Sequence, residues 1–192
     1  YGLIDSDDRT AEQIQNLLGK GVAAVPFYSV EALYYHLTII EKIATKISEL
    51  TGQDANTLFQ NATSNIVQDI TQHKERLCAR LCEKRIRTET MASLPKFRDI
   101  QARGQFNLTF DLNTVLQTEE ANFDTLIAEN KISELIGRYP IRETQVLNRI
   151  VAGLGLTREQ YENSVRKLII DDQEVRTFYE TLLQPLTTLI EK

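Results

Sequence analysis

The chain has 192 residues, a net charge of -5, 42% hydrophobic and 26% charged residues. That is the size of one globular domain, large enough to bury a core without covalent staples. With 8 glycines, 4 prolines and 2 cysteines it is neither collagen-like, low-complexity nor a disulfide scaffold, and no apolar run approaches the ~18 residues of a membrane-spanning helix.

The chain opens Tyr1-Gly2-Leu3-Ile4-Asp5, without Met and already in an apolar strand. This predicts a piece cut from the C-terminal side of a longer protein. Asp5 to Thr10 is a polar loop, and Thr10 is the expected N-cap of a helix with Ile14, Leu17 and Leu18 on its apolar face. Gly19-Lys20-Gly21 ends that helix, and Val22 to Phe27 reads as a short buried strand with Pro26 near its end. Strand, helix and strand in this order form a βαβ unit with parallel strands.

The remainder reads as helix. Ser29 is expected to cap a helix from Val30 to about Leu50, ended by Thr51-Gly52. Asp54 is expected to cap a long helix through about Met91. Residues 104–112 alternate polar and apolar, which admits a short strand or hairpin. Asn113 is expected to start further helices over 114–129, 131–138, 142–153, 158–170 and 172–190, broken at Pro140 and Gly153-Leu154-Gly155. The expected fold is therefore mainly α with a small parallel α/β part: residues 1–29 form the α/β unit and 30–192 a helical region.

Charge is unevenly spread. Residues 1–73 carry 4 basic and 9 acidic groups, 74–103 carry 9 basic and 4 acidic, and 104–192 carry 9 basic and 14 acidic. A basic segment in an acidic chain is the footprint expected of a phosphate-bearing partner, with Lys84, Arg85 and Arg87 at its centre. The competing reading is a solvated helix face held by pairs such as Glu83–Arg87.

Asp5-Ser6-Asp7 follows the first strand, at the carboxyl end where open α/β sheets bind ligands. Two carboxylates at this spacing can face one hard divalent cation, and Asp5 and Asp7 are the candidate ligands. Alternatively Asp5 or Asp8 caps the next helix. Glu31, near the start of the helix after the second strand, either completes a carboxylate cluster or complements its own helix dipole.

Other tempting residues carry less. Cys78 and Cys82 are four apart with only His73 nearby, too few for zinc, and read as reduced thiols of a cytoplasmic protein. His36 reads as a boundary residue among Tyr34, Tyr35 and Leu37, and 147–168 as an αα-hairpin more than a DNA-reading motif.

The ordered set Gly2-Leu3-Ile4-Asp5-Ser6-Asp7-Asp8-Arg9, then a helix, then Val22-Ala23-Ala24-Val25-Pro26 and Val30-Glu31, resembles the second half of the TOPRIM-related domain at the C-terminus of ABC/AAA-type ATPases of the overcoming-lysogenisation-defect kind. The resemblance covers about 35 residues, with a vaguer likeness around Tyr139-Pro140-Ile141-Arg142. It implies Mg²⁺- or Mn²⁺-dependent cleavage of nucleic-acid phosphodiesters, with Asp5, Asp7 and Glu31 catalytic and Asp5 and Asp7 on the metal. It implies nucleic-acid contacts from Arg9, an upstream domain that binds ATP, and a role in defence or repair. The strand bearing the family's first Glu, and a phosphate-binding loop, are both missing from the sequence, so the piece alone is expected to be inactive. The alternative is a non-catalytic helical module for interaction or homodimerisation.

Overall fold

The structure is a computed structural model that describes residues 1–6 and 9–190. About 71% of the chain is helical, with one small sheet near the start. The fold is mainly α with a small parallel α/β part, as its apolar periodicities require.

Strand β1 (Gly2–Ile4) pairs in parallel with β2 (Val22–Ala24), with Gly2 opposite Val22 and Ile4 opposite Ala24. Helix α1 (Ala11–Leu18) makes the crossover. It starts in a reciprocal capping box: the Gln13 N–H donates to Thr10 Oγ1 at 3.3 Å, and the Thr10 N–H donates to Gln13 Oε1 at 3.0 Å. Regular pairing in β2 stops at Ala24, short of the expected Phe27, although the Val25 N–H still donates to Ile4 O at 2.9 Å. Pro26 has no N–H to extend the ladder.

Two expected long helices are divided. The stretch from Val30 becomes α2 (Glu31–Tyr34) and α3 (Leu37–Thr51). Tyr35 leaves the helix to stack its buried ring on Tyr161, with centroids 4.9 Å apart, and His36 recaps the chain through Nδ1, which accepts the Thr38 N–H at 3.3 Å. Ile39, Ile40, Ile43 and Ala44 then bury one face of α3, and Gly52, at φ 74°, closes it. The stretch after Asp54 becomes α4 (Ala55–Thr63), α5 (Ile66–Thr71) and α6 (Lys74–Ser93). Turns at 64–65 and 72–73 re-aim each piece, so that α4 packs on both α3 and the later α10 (Val146–Gly153).

Helix α7 (Phe97–Gln101) follows, and then residues 102–111 run without strand pairing. The strand admitted at 104–112 does not form: among the described residues no neighbouring strand offers its backbone a ladder. Asp111, not Asn113, caps α8 (Leu112–Ala128), accepting the Asn113 and Thr114 N–H groups. Then come α9 (Ile132–Arg138), a 3₁₀ turn (Ile141–Glu143), α10, α11 (Arg158–Asp171), α12 (Gln173–Leu182) and α13 (Gln184–Ile190).

One continuous core joins the parts. Val25, Ile39, Ile40, Leu77, Leu81, Phe123, Leu135, Tyr139, Ile150, Tyr161 and Val165 are all buried in it. Two tyrosines from the C-terminal helices reach back to the end of α2: Tyr161 Oη donates to Tyr34 O at 2.7 Å and Tyr179 Oη to Leu33 O at 2.8 Å. These bonds satisfy carbonyls that the end of a short helix leaves open. No helix among the described residues is long and apolar enough to cross a membrane.

Candidate functional site: the carboxyl ends of the parallel strands

The loops leaving β1 and β2 lie side by side. The Ser6 N–H donates to Phe27 O at 3.1 Å, and the Ser6 hydroxyl donates to the same carbonyl. Arg9 turns back into its own loop, where Nη1 donates to Asp5 O at 2.6 Å and to Ser6 O at 3.1 Å. Its charge thus gathers carbonyl oxygens beside the strand end.

Asp5 points across the loops. Its Oδ1 accepts the Val30 N–H at 2.8 Å, at the entry to α2. Asp5 therefore does not cap α1, whose cap is Thr10, but holds the chain where it enters α2. Asp7 and Asp8 lie outside the described residues. Glu31 is in the first turn of α2, and its Oε1 lies 3.6 Å from Arg142 Nη1. Among the described residues no three His, Cys, Asp or Glu side chains gather where one ion could be held. Asp5 is chemically suited to a hard divalent cation, which needs one or two protein carboxylates when waters and phosphate oxygens supply the rest. The described residues alone do not complete such a site.

The fold brings the basic helix to this place. Lys84 Nζ lies 4.8 Å from the centroid of the Tyr28 ring, just beyond β2. Tyr28, Arg80, Glu83, Lys84, Arg87 and Glu143 line a cleft of about 360 Å³. A neighbouring cleft of about 300 Å³ lies between Ser6, Phe27, Tyr28, Asn122, Glu134 and Arg138. A third, of about 280 Å³, is shared by Arg9, Lys20 and Thr88. Strand ends and α6 thus border the same depressions.

Several α6 cations have partners. Arg87 Nη2 meets Glu83 Oε1 at 2.7 Å, the helical pair expected from the spacing, and Arg80 Nη1 meets Glu83 Oε2 at 3.1 Å. Such exposed pairs contribute little and yield readily to another anion. Arg85 differs: its Nη2 reaches Glu119 Oε2 at 3.1 Å, and Glu119 is only 2% exposed.

Glu119 is the residue that sequence reasoning missed. Arg138 binds it through Nε–Oε1 at 2.8 Å and Nη2–Oε2 at 2.7 Å, and Tyr139 Oη donates to Oε1 at 2.8 Å. Burial pushes its carboxyl up, but hydrogen bonds from Arg138 and Tyr139 and the charges of Arg138 and Arg85 outweigh that and hold it below the usual value. One signal was present: Glu119 shares an i, i+4, i+7 stripe with buried Phe123 and Leu126.

The remaining candidates are structural. Burial pushes the Cys78 thiol up to about 12, and Cys82 Sγ lies 3.7 Å from Val115 O. The His36 ring sits between Phe27 and Phe178, and burial lowers its pKa. Helices α10 and α11 bury Leu147, Ile150, Val165 and Leu168 in the common core, as an αα-hairpin does. Compared with family models, with curated proteins and with solved structures, the chain matches none.

Proposed function

We propose that this chain is the C-terminal part of a cytoplasmic, ATPase-associated protein that cleaves nucleic-acid phosphodiesters with the help of Mg²⁺ or Mn²⁺. The observation that carries the reading is the juxtaposition of α6 with the carboxyl ends of β1 and β2, where Lys84 and Arg87 share a cleft with Tyr28. Phosphate recognition calls for cations beside a strand-end loop that bears a hard oxygen ligand, and Asp5 is such a ligand. In this reading Asp5 and Asp7 hold the cation, which would neutralise phosphate charge when bound. Arg9 keeps the loop folded, Lys84 and Arg87 attract the backbone, and Arg85 positions α6 through Glu119. Glu31 lies one residue beyond the amide that Asp5 accepts, where a second carboxylate can assist. ATP would bind an upstream domain of the longer protein.

The test is titration of the chain with Mn²⁺, read from the loss of the free-ion EPR signal. Asp5→Asn with Asp7→Asn is expected to weaken binding by at least about tenfold, the scale on which even outer supporting residues act. Equal Mn²⁺ affinity in the double variant and the wild type overturns the site.

A second reading, a helical interaction or homodimerisation module, is favoured by one observation. Asp5 is already engaged by the Val30 N–H at the entry to α2, and Glu31 already faces Arg142. It predicts that Asp5→Asn lowers the melting temperature without altering Mn²⁺ affinity.

A further inference from the structure

The far end of the basic helix presents a surface that the strand-end site does not use. Between Met91 and Leu112 the chain runs over the end of α6, through α7 and into α8. Phe97 is 76% exposed, Ile100 65% and Phe106 45%. Two exposed phenylalanines in one short segment contribute little to the core and offer apolar area to a ligand.

Cations interleave directly with these rings in the order Lys96, Phe97, Arg98, Ile100, Arg103, Phe106. Asp99, the acid among them, is occupied at the start of α7, where it accepts the Lys96 N–H at 2.8 Å. Among the described residues no acidic side chain pairs with Lys96, Arg98 or Arg103. The chain turns after α7 at Arg103, at φ 53°, where the Arg103 N–H donates to Ile100 O at 3.0 Å and the Gly104 N–H to Asp99 O at 3.3 Å.

We propose that residues 96–106 form a binding segment for single-stranded nucleic acid, with Phe97 and Phe106 stacking on unpaired bases and Lys96, Arg98 and Arg103 neutralising the adjoining phosphates. Two features favour this occupant. Protein interfaces deplete charge at their centre, whereas here the cations alternate with the rings. Single-strand binders need this alternation, because every base offers a π-face and every linkage a phosphate. Charge selects the ligand too: 96–106 holds 3 basic residues against 1 acidic in a chain of net charge -5. A duplex keeps its faces stacked and offers these rings nothing. The inference extends the nucleic-acid reading but uses none of its carboxylates.

The experiment is fluorescence anisotropy of labelled oligo(dT), about 20 nucleotides long to span a typical single-strand site, in EDTA. Wild-type chain is expected to bind with an affinity that falls steeply with salt. Phe97→Leu with Phe106→Leu keeps the apolar bulk but loses the π-face, and is expected to weaken binding at least about tenfold. Phe97→Trp with Phe106→Trp is expected to retain it, and duplex of the same length to compete poorly. Wild-type affinity in the double-leucine variant, or equal competition by duplex, overturns the proposal. So does a wild-type chain that ignores oligo(dT) and instead sediments with phosphatidylserine vesicles or self-associates through this segment. Because EDTA removes divalent ions, the result is independent of the Mn²⁺ titration: either proposal can fail alone.

Discussion

Arg138 holds Glu119 with two parallel hydrogen bonds, Nε to Oε1 at 2.8 Å and Nη2 to Oε2 at 2.7 Å, and so ties α9 to α8. Arg85 adds α6 to the same carboxylate at 3.1 Å. Three helices thus share one buried charge. A carboxylate that is 2% exposed is tolerated only because its oxygens are satisfied by charged donors and a phenol. Removing it takes from Arg85, Arg138 and the Tyr139 hydroxyl the carboxylate that they share. Glu119→Ala is expected to destabilise the chain by about 3 kcal/mol, read as a lower urea midpoint. Glu119→Gln, which keeps the shape, is expected to fall between that variant and wild type.

The same carboxyl sets an acid limit. Its folded pKa lies below its unfolded value, so the stability it gives is fully present above the unfolded value near pH 4.3 and is lost as pH falls through the folded one. Wild type is expected to lose stability as pH falls below about 4.5 more steeply than Glu119→Gln, in denaturation midpoints followed against pH.

His36 titrates in a separate window. Burial depresses its folded pKa, and its neutral Nδ1 accepts the Thr38 N–H at the start of α3. The unfolded chain takes up the proton first as pH falls below about 6.5, so stability declines from there until the folded value is reached. As pH falls below about 6.5, His36→Asn, which keeps a capping acceptor, is expected to flatten the stability profile. An unchanged slope would assign the titration to another group.

Gly153 marks a close approach of α10 to α4. A Cβ there would lie 2.5 Å from Asn61 O and 2.6 Å from Ala62 Cα, both backbone atoms of α4. Backbone cannot swing aside as a side chain does, so Gly153→Ala is expected to cost about 2–3 kcal/mol by forcing α10 off α4. Gly52→Ala serves as the contrast. Its added Cβ would meet nothing within 4 Å, and only the positive φ opposes it, at about 1 kcal/mol. Thermal melts of the two variants separate close packing from backbone strain.

Cys78 is expected to resist iodoacetamide at pH 8 in the folded chain and to react once urea exposes it. Its thiol is fully buried and titrates at about 12, so almost no thiolate is present to attack. Mass spectrometry of the alkylated chain reads this directly.

Local chemistry was readable where it acts over a few residues. Thr10 and Gln13 form the capping box their spacing suggests, Gly52 ends α3 in the left-handed conformation, and Asp54 caps α4. What resisted reading depends on distant partners. Tyr35 leaves its helix for Tyr161, a residue 126 positions away, and no local propensity records that. Residues 104–111 alternate as a strand would, yet pairing needs a neighbour that the pattern cannot supply. At the site, Asp5 was visible from its loop, but its engagement with Val30 depends on the register of β1 against β2. Arg85 stood out in a charge run and proved to face inward to Glu119, 34 residues on.

The tyrosine bonds that finish α2 have a kinetic meaning. Tyr161 and Tyr179 donate to carbonyls 127 and 146 residues earlier in the chain. During synthesis the end of α2 therefore waits, its carbonyls hydrated, until Tyr161 and Tyr179 have left the ribosome. Closing loops of that length delays the rewarding contacts. A chain stopped before Tyr161 lacks both donors and is expected to be open to proteases at residues 33–36.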